Sequence, residues 1–598
     1  MANKKISNLP EYNTPQPNDV LPIVNVASSI TQKVSFSAIS ETILSAITDV
    51  YVTGGTYSAG TATFTNITGG TFDVTGFTIG GGDESIIITG STSNSTLRKD
   101  NSNVASASGV TVFGVSNTAS SEYSTIGGGL NNLISTCYSV IGGGCCNLIV
   151  NEYSTISGGL NNSISGSCST VSGGYFNTAS NKNSTVSGGY NNCAAGVNST
   201  ISGGKANTAS GVNSTISGGY NNTASAYYST VSGGYCNMAS GYISTVGGGF
   251  LNTASADYST VSGGRDNIAS GNRSTVSGGY QNTASSECST VGGGVQNTAS
   301  GYKSTVSGGY FNTASNTYST VSGGYNNTAS GGYSTVGGGI QNAASNTYST
   351  VGGGYNNTAS GGYSTVGGGV GNAASARNNS TVSGGYCNCA AGDNSTVGGG
   401  AQNIANGNTS TVGGGIQNAA SGGVSTVGGG YCNAASGNYS TVSGGYLNTA
   451  SADYSNVGGG NNNIASGTYT FIGGGASNSA TTTYSTIVGG LENCISSHTF
   501  SIINGGCFNL IYGGNGTYSI INGGQCNTIL GKIDYGAVLG GYKNCLTHCH
   551  SFIAGSEISS VSSCTLHANR LWLGNLPTSS AGLPSGTVWN DTGTLRIV

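Results

Sequence analysis

The chain has 598 residues, of which 6% are charged, and its formal net charge is −4. So small a net charge creates only a weak electrostatic field, which would not attract a polyanion. This disfavours nucleic acid and anionic membranes as partners. Glycine is far above its ordinary share with 107 residues, and no apolar stretch is long enough to predict a membrane span. The composition is therefore typical of a repetitive fibre, and we expect neither membrane insertion nor a bound cofactor.

Residues 1–50 form the first predicted segment. No apolar run follows Met1, so we expect no secretory signal. The stretches Lys5–Pro10, Asp19–Val24 and Gln32–Ile39 resemble the start of phage tail-fibre and virion adhesin proteins. That resemblance implies attachment to a virion baseplate or tail protein. The alternative is a small β-rich cap with one short helix near Ala38–Ile47.

Residues 51–108 are predicted to form a β-rich shoulder. Val52–Asn66 and Thr68–Phe77 alternate apolar and polar residues between glycine-containing turns, as half-buried strands do. Their Thr-Gly-Gly-Thr motifs are also similar to phage structural proteins.

Residues 109–560 repeat a unit of fifteen residues, which we number from Ser319 as position one to Tyr333 as position fifteen. The period holds without a slip from Ser124 to Ser364, and we count about 29 copies. A short period kept over so many residues predicts a solenoid in which each coil contacts only its neighbours. At about 4.8 Å per coil the shaft would be roughly 14 nm long.

The residue types at each position predict what a coil is made of. Two or three glycines per unit and the lack of a 3.6-residue stripe exclude helix and leave two short strands, around positions one to three and nine to eleven. Because strand residues alternate in direction, positions one, three, nine and eleven should face inward. The predicted inward ladders include Val321, Val336, Asn327, Asn342, Ala329 and Ala344.

The predicted core of one coil is thin, with one valine, one alanine, one serine and one asparagine for fifteen ordered residues. We therefore expect several chains to pack side by side as a parallel homotrimer.

The Ser-Thr-Val-x-Gly-Gly and Asn-x-Ala-Ser elements of this unit resemble the head repeats of trimeric autotransporter adhesins. The resemblance covers about three quarters of the chain and implies a β-roll with two short strands per coil, although that family's coil is shorter. The predicted fold class is thus an all-β parallel solenoid with small terminal modules.

Tyrosines at position fifteen are candidate binding residues, since they are predicted to point outward in a column. The clearest run is Tyr318, Tyr333, Tyr348 and Tyr363. Such rings could stack on sugars, but aromatic ladders also simply stabilise adjacent coils, and this second interpretation is favoured.

Residues 561–598 leave the repeat and contain both tryptophans of the chain, Trp572 and Trp589. This segment resembles a short module found at the tips of phage fibres. It would cap the exposed end of the solenoid, and the resemblance also implies contact with a host-surface glycan or protein.

His548 and His550 form a single His-x-His motif. On the axis of a trimer it would supply six imidazoles for an octahedral metal ion, but a surface turn is the favoured interpretation. The sixteen cysteines occupy variable repeat positions, which predicts free thiols.

Acidic residues are too sparse for a glycosidase pair, and no nucleophile motif stands between a strand and a helix, so we expect no enzyme. The sequence predicts a phage tail-fibre protein that is made in the host cytoplasm, resides in the virion and acts as spacer and receptor-binding adhesin. The alternatives are a bacterial cell-surface adhesin or extracellular filament and, less favoured, an ice-binding solenoid.

Overall fold

The computed structural model describes residues 102–592 and 594–597, and seven strands that precede them. Those strands are Val20–Asn25, Ile30–Ser35, Val52–Ser58, Thr61–Asn66, Thr71–Thr75, Ile87–Thr89 and Thr96–Arg98. Strands, bridges and turns account for all regular structure in these residues, which confirms the all-β prediction. Accordingly, none of them belongs to a helix that could cross a membrane. The helix proposed near 38–47 lies outside the described residues.

A first compact unit spans Met1–Ile88 and Arg98–Asn101. In it Val20–Asn25 pairs antiparallel with Ile30–Ser35. A separate antiparallel sheet has Thr61–Asn66 at its centre, between Val52–Ser58 and Thr71–Thr75. Both arrangements are antiparallel, unlike the parallel ladders of the solenoid.

The second unit contains a parallel β-solenoid of about 31 turns, and each full turn contributes one strand to each of two ladders. This confirms the predicted fold class. The turn count exceeds the predicted 29 because coils at both ends wind in register although their sequences depart from the repeat. At the N-terminal end, for example, Thr96 pairs with Thr111.

The first ladder uses positions two and three. It starts with Thr96–Arg98 and Thr111–Val112, runs every fifteen residues from Thr125–Ile126 to Thr365–Val366 and again from Thr381–Val382 to Thr486–Ile487, and ends with Ile502–Ile503, Ile520–Ile521, Ala537–Val538, Phe552–Ala554 and Leu566–Ala568.

The second ladder uses positions ten and eleven. It starts with Val104–Ala105 and Thr118–Ala119, runs every fifteen residues from Leu133–Ile134 to Ala373–Ala374 and again from Cys389–Ala390 to Cys494–Ile495, and ends with Leu510–Tyr512, Thr528–Leu530 and Cys545–Leu546. After the solenoid, Val588–Asp591 and Thr594–Ile597 form an antiparallel hairpin.

Four inward columns form the core between the two ladders. In the coil that begins at Ser319, the side chains of Ser319, Val321, Asn327 and Ala329 have no exposed surface. The next coil repeats this with Val336 and Ala344 fully buried and Asn342 at 1% exposure. A single chain therefore closes its own core in this region.

The asparagine column holds successive coils together. The amide nitrogen of Asn327 donates to the carbonyl oxygens of Gly323 in its own coil and Gly339 in the next, each at 2.8 Å. Its side-chain oxygen accepts the backbone N–H of Asn342 at 2.9 Å. Because every polar atom of this buried side chain has a partner, an asparagine core costs little in unmade hydrogen bonds.

Glycine at position six follows from the same packing. Gly324 has φ of +90°, and a Cβ there would lie 2.1 Å from the carbonyl oxygen of Gly339 and 2.6 Å from the amide nitrogen of Asn327. The neighbouring Gly323 meets no atom within 4 Å. Contact with the next coil therefore demands glycine at position six and does not demand it at position five.

Candidate functional site

The outward side chains form columns that run from coil to coil, and we name each column by its repeat position. Residues in columns eight and fifteen adopt left-handed backbone, for example Asn326 with φ of 55° and Tyr333 with φ of 56°. A bulky residue is rare in this conformation. The N–H of Tyr333 compensates by donating to the carbonyl of Thr317, in the preceding coil, at 2.8 Å.

Column fifteen contains stacks of aromatic rings. Tyr318, Tyr333, Tyr348 and Tyr363 stack with ring centroids 4.8 Å apart. A longer stack near the C-terminal end has centroid spacings of 4.6–5.2 Å. Its members are Tyr439, Tyr454, Tyr469, Tyr484, Phe500, Tyr518, Tyr535 and His550.

The stacking decides what a ligand could contact. Within a stack each ring covers the faces of its neighbours, so a ligand would meet ring edges and hydroxyls along the length of the stack. Loss of hydration between rings, followed by repulsion from the phenols of Tyr469 and Tyr439, raises the pKa of Tyr454 above its usual value. The inner rings of these stacks have a neighbouring ring on each face, an arrangement that favours stabilisation of adjacent coils.

Column seven mixes rings with cations. Lys205 Nζ lies 5.4 Å from the ring centroid of Tyr190 and 5.5 Å from that of Tyr220. Arg265 lies in the same way between Phe250 and Tyr280. A cation between two rings is attracted to both π faces, so this column accepts flat or cationic groups as members of the stack.

Columns seven and eight lie side by side on the surface. The rings of Tyr310 and Phe311, consecutive in sequence, have centroids 4.2 Å apart. Cys145 and Cys146, at the same two positions, place their Sγ atoms 3.0 Å apart. A ligand on column seven would therefore also meet the side chains of column eight.

The two tryptophans differ in exposure. Trp572 is 91% exposed in a segment without strands. Trp589 lies half-buried in the terminal hairpin, where it pairs with Arg596. Arg596 also forms an ion pair of 2.6 Å with Asp591. Trp572 thus presents its indole to solvent, while Trp589 belongs to the hairpin.

His548 and His550 contact different neighbours. The His548 Nδ1 atom lies 3.0 Å from the Ser560 hydroxyl, and the His550 ring stacks on Tyr535 at 5.2 Å. Within the described part of a single chain, no three His, Cys, Asp or Glu side chains converge on a possible metal. The sixteen cysteines, all in that part, form no disulfide.

Two features were not found by sequence reasoning. His498 is fully buried, with Nε2 2.7 Å from the carbonyl oxygen of Gly531. His498 lies in a coil that is one residue longer than the repeat unit. That insertion is the only sequence feature that could have indicated its unusual position. A groove beside Gln402 and Gln417 is the second feature, and only the stacking of coils creates it.

Comparison with known proteins agrees with the repeat unit. Residues 319–331 match the family model described as the ubiquitous surface protein adhesin repeat. No curated protein matches the chain. Since the described coils from 124 onward repeat the matched unit, the chain is a β-solenoid with an adhesin-like repeat.

Proposed function

We propose that this chain is a fibrous adhesin in which the solenoid is a rigid spacer and binding sites on it attach a particle or cell to a surface. The observation that carries the proposal is the adhesin-repeat match at residues 319–331, within a unit that recurs along the whole ladder. A long parallel ladder with a closed core can act as a spacer between two binding sites, and this role requires no catalytic group. Weak contacts repeated on several fibres would supply avidity.

In its specific form, the proposal is a phage tail fibre. Residues 1–50 would attach to the virion baseplate or tail, and residues 561–598 would form the distal tip that meets a host glycan or protein. The exposed indole of Trp572 supports a contact role for this end, because aromatic side chains with free faces dominate binding surfaces.

The fibre is proposed to be a parallel homotrimer located in the virion. Exposed aromatic columns support association, since many of these rings are more than 40% exposed on the single chain. Mass measurement by light scattering tests this directly, and a stable folded monomer at micromolar concentration would refute it.

A bacterial cell-surface adhesin or extracellular filament is the second candidate. The matched family is described as a surface protein adhesin, which favours this candidate as much as a viral one. Electron microscopy distinguishes them: antibody against residues 1–50 should label virions for a tail fibre, and the cell envelope for a bacterial adhesin.

Deletion of residues 561–598 tests the proposed tip. We expect the shortened fibre to keep its oligomeric state and circular dichroism but to lose adsorption to the host cell. Unchanged adsorption would transfer receptor binding to the flank of the solenoid.

A further inference from the structure

In column seven, Ala401 contributes no side-chain atom beyond Cβ. Tyr386, Ala401, Ile416 and Tyr431 are bridged in order by parallel backbone pairing. The two outer coils of the Tyr386–Ala401–Ile416 series are about 9.6 Å apart, which leaves room for one ring above Ala401. Among the described residues no ring stacks on Tyr386, which is 53% exposed, against 40% for the stacked Tyr190. Its face toward Ala401 is thus free.

A second alanine of column seven provides a comparison. Ala476 lies between Asn461 and Leu491, so no ring faces the space above it. Of these two alanine positions, only Ala401 has an aromatic platform.

A groove of 530 Å³ lies on the same coils, lined by residues at positions eight to ten, and Tyr386 and Ala401 of column seven are not part of its lining. Its lining is Cys387, Cys389, Gln402, Ile404, Gln417, Asn418, Ala419 and Cys432. The Cys432 thiol donates to Gln417 Oε1 at 3.1 Å, and Gln417 Nε2 donates to Gln402 Oε1 at 3.1 Å. This row orients the amides, while Gln402 Nε2 donates to no partner among the described residues.

The chemistry of the groove selects a ligand. None of the side chains that line it is charged, so an ionic ligand would find no counter-ion. A flat aromatic face beside a row of primary amides suits a sugar, whose C–H face packs on a ring while its hydroxyls exchange hydrogen bonds with amides.

We propose that a neutral oligosaccharide binds across column eight, with one sugar ring stacked on Tyr386 above Ala401, its hydroxyls bonded to Gln402 and Gln417, and the next sugar in the groove. The inference rests on the proposed adhesin function and adds a secondary receptor contact on the flank of the shaft, which supports the proposed tip and does not replace it.

Thiols in the groove report occupancy in the intact, assembled protein. Alkylation rates of Cys387 and Cys432 are measured by mass spectrometry with and without cellotetraose, maltotetraose or chitotetraose. Cys236 is the matched control, since it is also at position eight after a tyrosine and is remote from the groove. We expect at least one sugar to slow alkylation of Cys387 and Cys432 and to leave Cys236 unchanged.

The variant Ala401→Tyr should fill the gap without unfolding the chain, because tyrosine is common in column seven and would stack as Tyr310 and Tyr325 do at 5.4 Å. We expect it to weaken sugar binding by about tenfold or more. Ala476→Tyr makes the same substitution away from the groove and should bind as wild type.

The site would be overturned if none of the sugars slowed alkylation, if a sugar slowed it equally in Ala401→Tyr, or if the thiols did not react in the native assembly. Protection by tetramethylammonium instead of a sugar would also overturn it, because it would indicate a site for cations. Host adsorption is measured in parallel to separate the site from the function. Sugar binding without adsorption would refute the adhesin function alone, and adsorption without sugar binding would refute the groove alone.

Discussion

The middle coils and the C-terminal coils fill their cores with apolar side chains of different size. Around Val321 and Ala329 each coil has fifteen residues and small core side chains. From Ile487 to Ile529 both apolar columns carry isoleucine, and the coils lengthen by one to three residues. Because a solenoid unravels from its ends, where a coil lacks one neighbour, larger apolar burial is needed there. The N-terminal coils from Ile126 to Ile164 also carry isoleucine in both apolar columns, although they keep the length of fifteen residues.

The largest expected effect is for Val321→Asp in the middle. Its side chain has no exposed surface, so the carboxylate would be buried without a partner. We expect a loss of about 4 kcal/mol or more and rapid hydrogen exchange in the flanking coils. Thr320→Asp, on the outward side of the same strand, is the control and should melt close to wild type. Equal losses would mean that the two faces are not as distinct as their burial implies.

Asn327→Leu should also be severe, although it adds apolar surface. It would leave the carbonyl of Gly323 and the N–H of Asn342 without a partner and would remove one of the two donors to the carbonyl of Gly339. We expect a loss of about 3 kcal/mol or more in denaturant unfolding. Asn326→Gln is the matched control, because glutamine occupies this left-handed position at Gln341. A neutral Asn327→Leu would show that apolar packing alone holds the coils.

Ile495→Ala tests the difference between the two regions directly. It converts a C-terminal coil to the small residue of the middle, and we expect a cost of about 2–5 kcal/mol from lost burial and the cavity. The reciprocal Ala329→Ile should cost about 1–3 kcal/mol, because the larger side chain would enter a core that is already closed around a fully buried alanine. If both changes were neutral in hydrogen exchange, core volume would not distinguish the regions.

Acid should weaken the C-terminal coils selectively. Burial lowers the pKa of His498, an effect partly offset by the Gly531 carbonyl and the Asp534 carboxylate. Below about pH 6.5 the unfolded chain binds a proton that the folded chain resists, so stability falls until the pH reaches the folded pKa. When the pH falls from 7.5 to 5.5, the protection factors for amide hydrogen exchange should decrease for residues 486–538 and not for 305–366. His498→Gln should remove this difference, and if it persists, another group is responsible.

The smallest effect is expected for Tyr333→Ala. Its ring stacks on Tyr318 and Tyr348, and each such pair contributes about 0.5–1.5 kcal/mol beyond area burial. Tyr355→Ala is the control, since that ring has Ile340 and Val370 as column neighbours. Thermal unfolding should show a larger shift for Tyr333→Ala, and identical shifts would mean that stacking adds nothing to burial.

The sequence by itself determined the architecture. A strict period, β-branched residues at position three and paired glycines leave no structure except short parallel strands in register, because local chemistry repeats and each coil meets only copies of itself. The same alternation assigned Val321 and Asn327 to the interior. These conclusions needed no information about distant contacts.

Only the tertiary structure decided how the outward and irregular residues are used. Ring stacking in column fifteen, the cation between Tyr190 and Tyr220, and the space above Ala401 depend on the residue one coil away, which lies fifteen positions along the chain. The burial of His498 depends on an insertion whose path no periodicity predicts. Such features come from the 4.8 Å stacking of unlike residues, so they appear only once the coils are placed on one another.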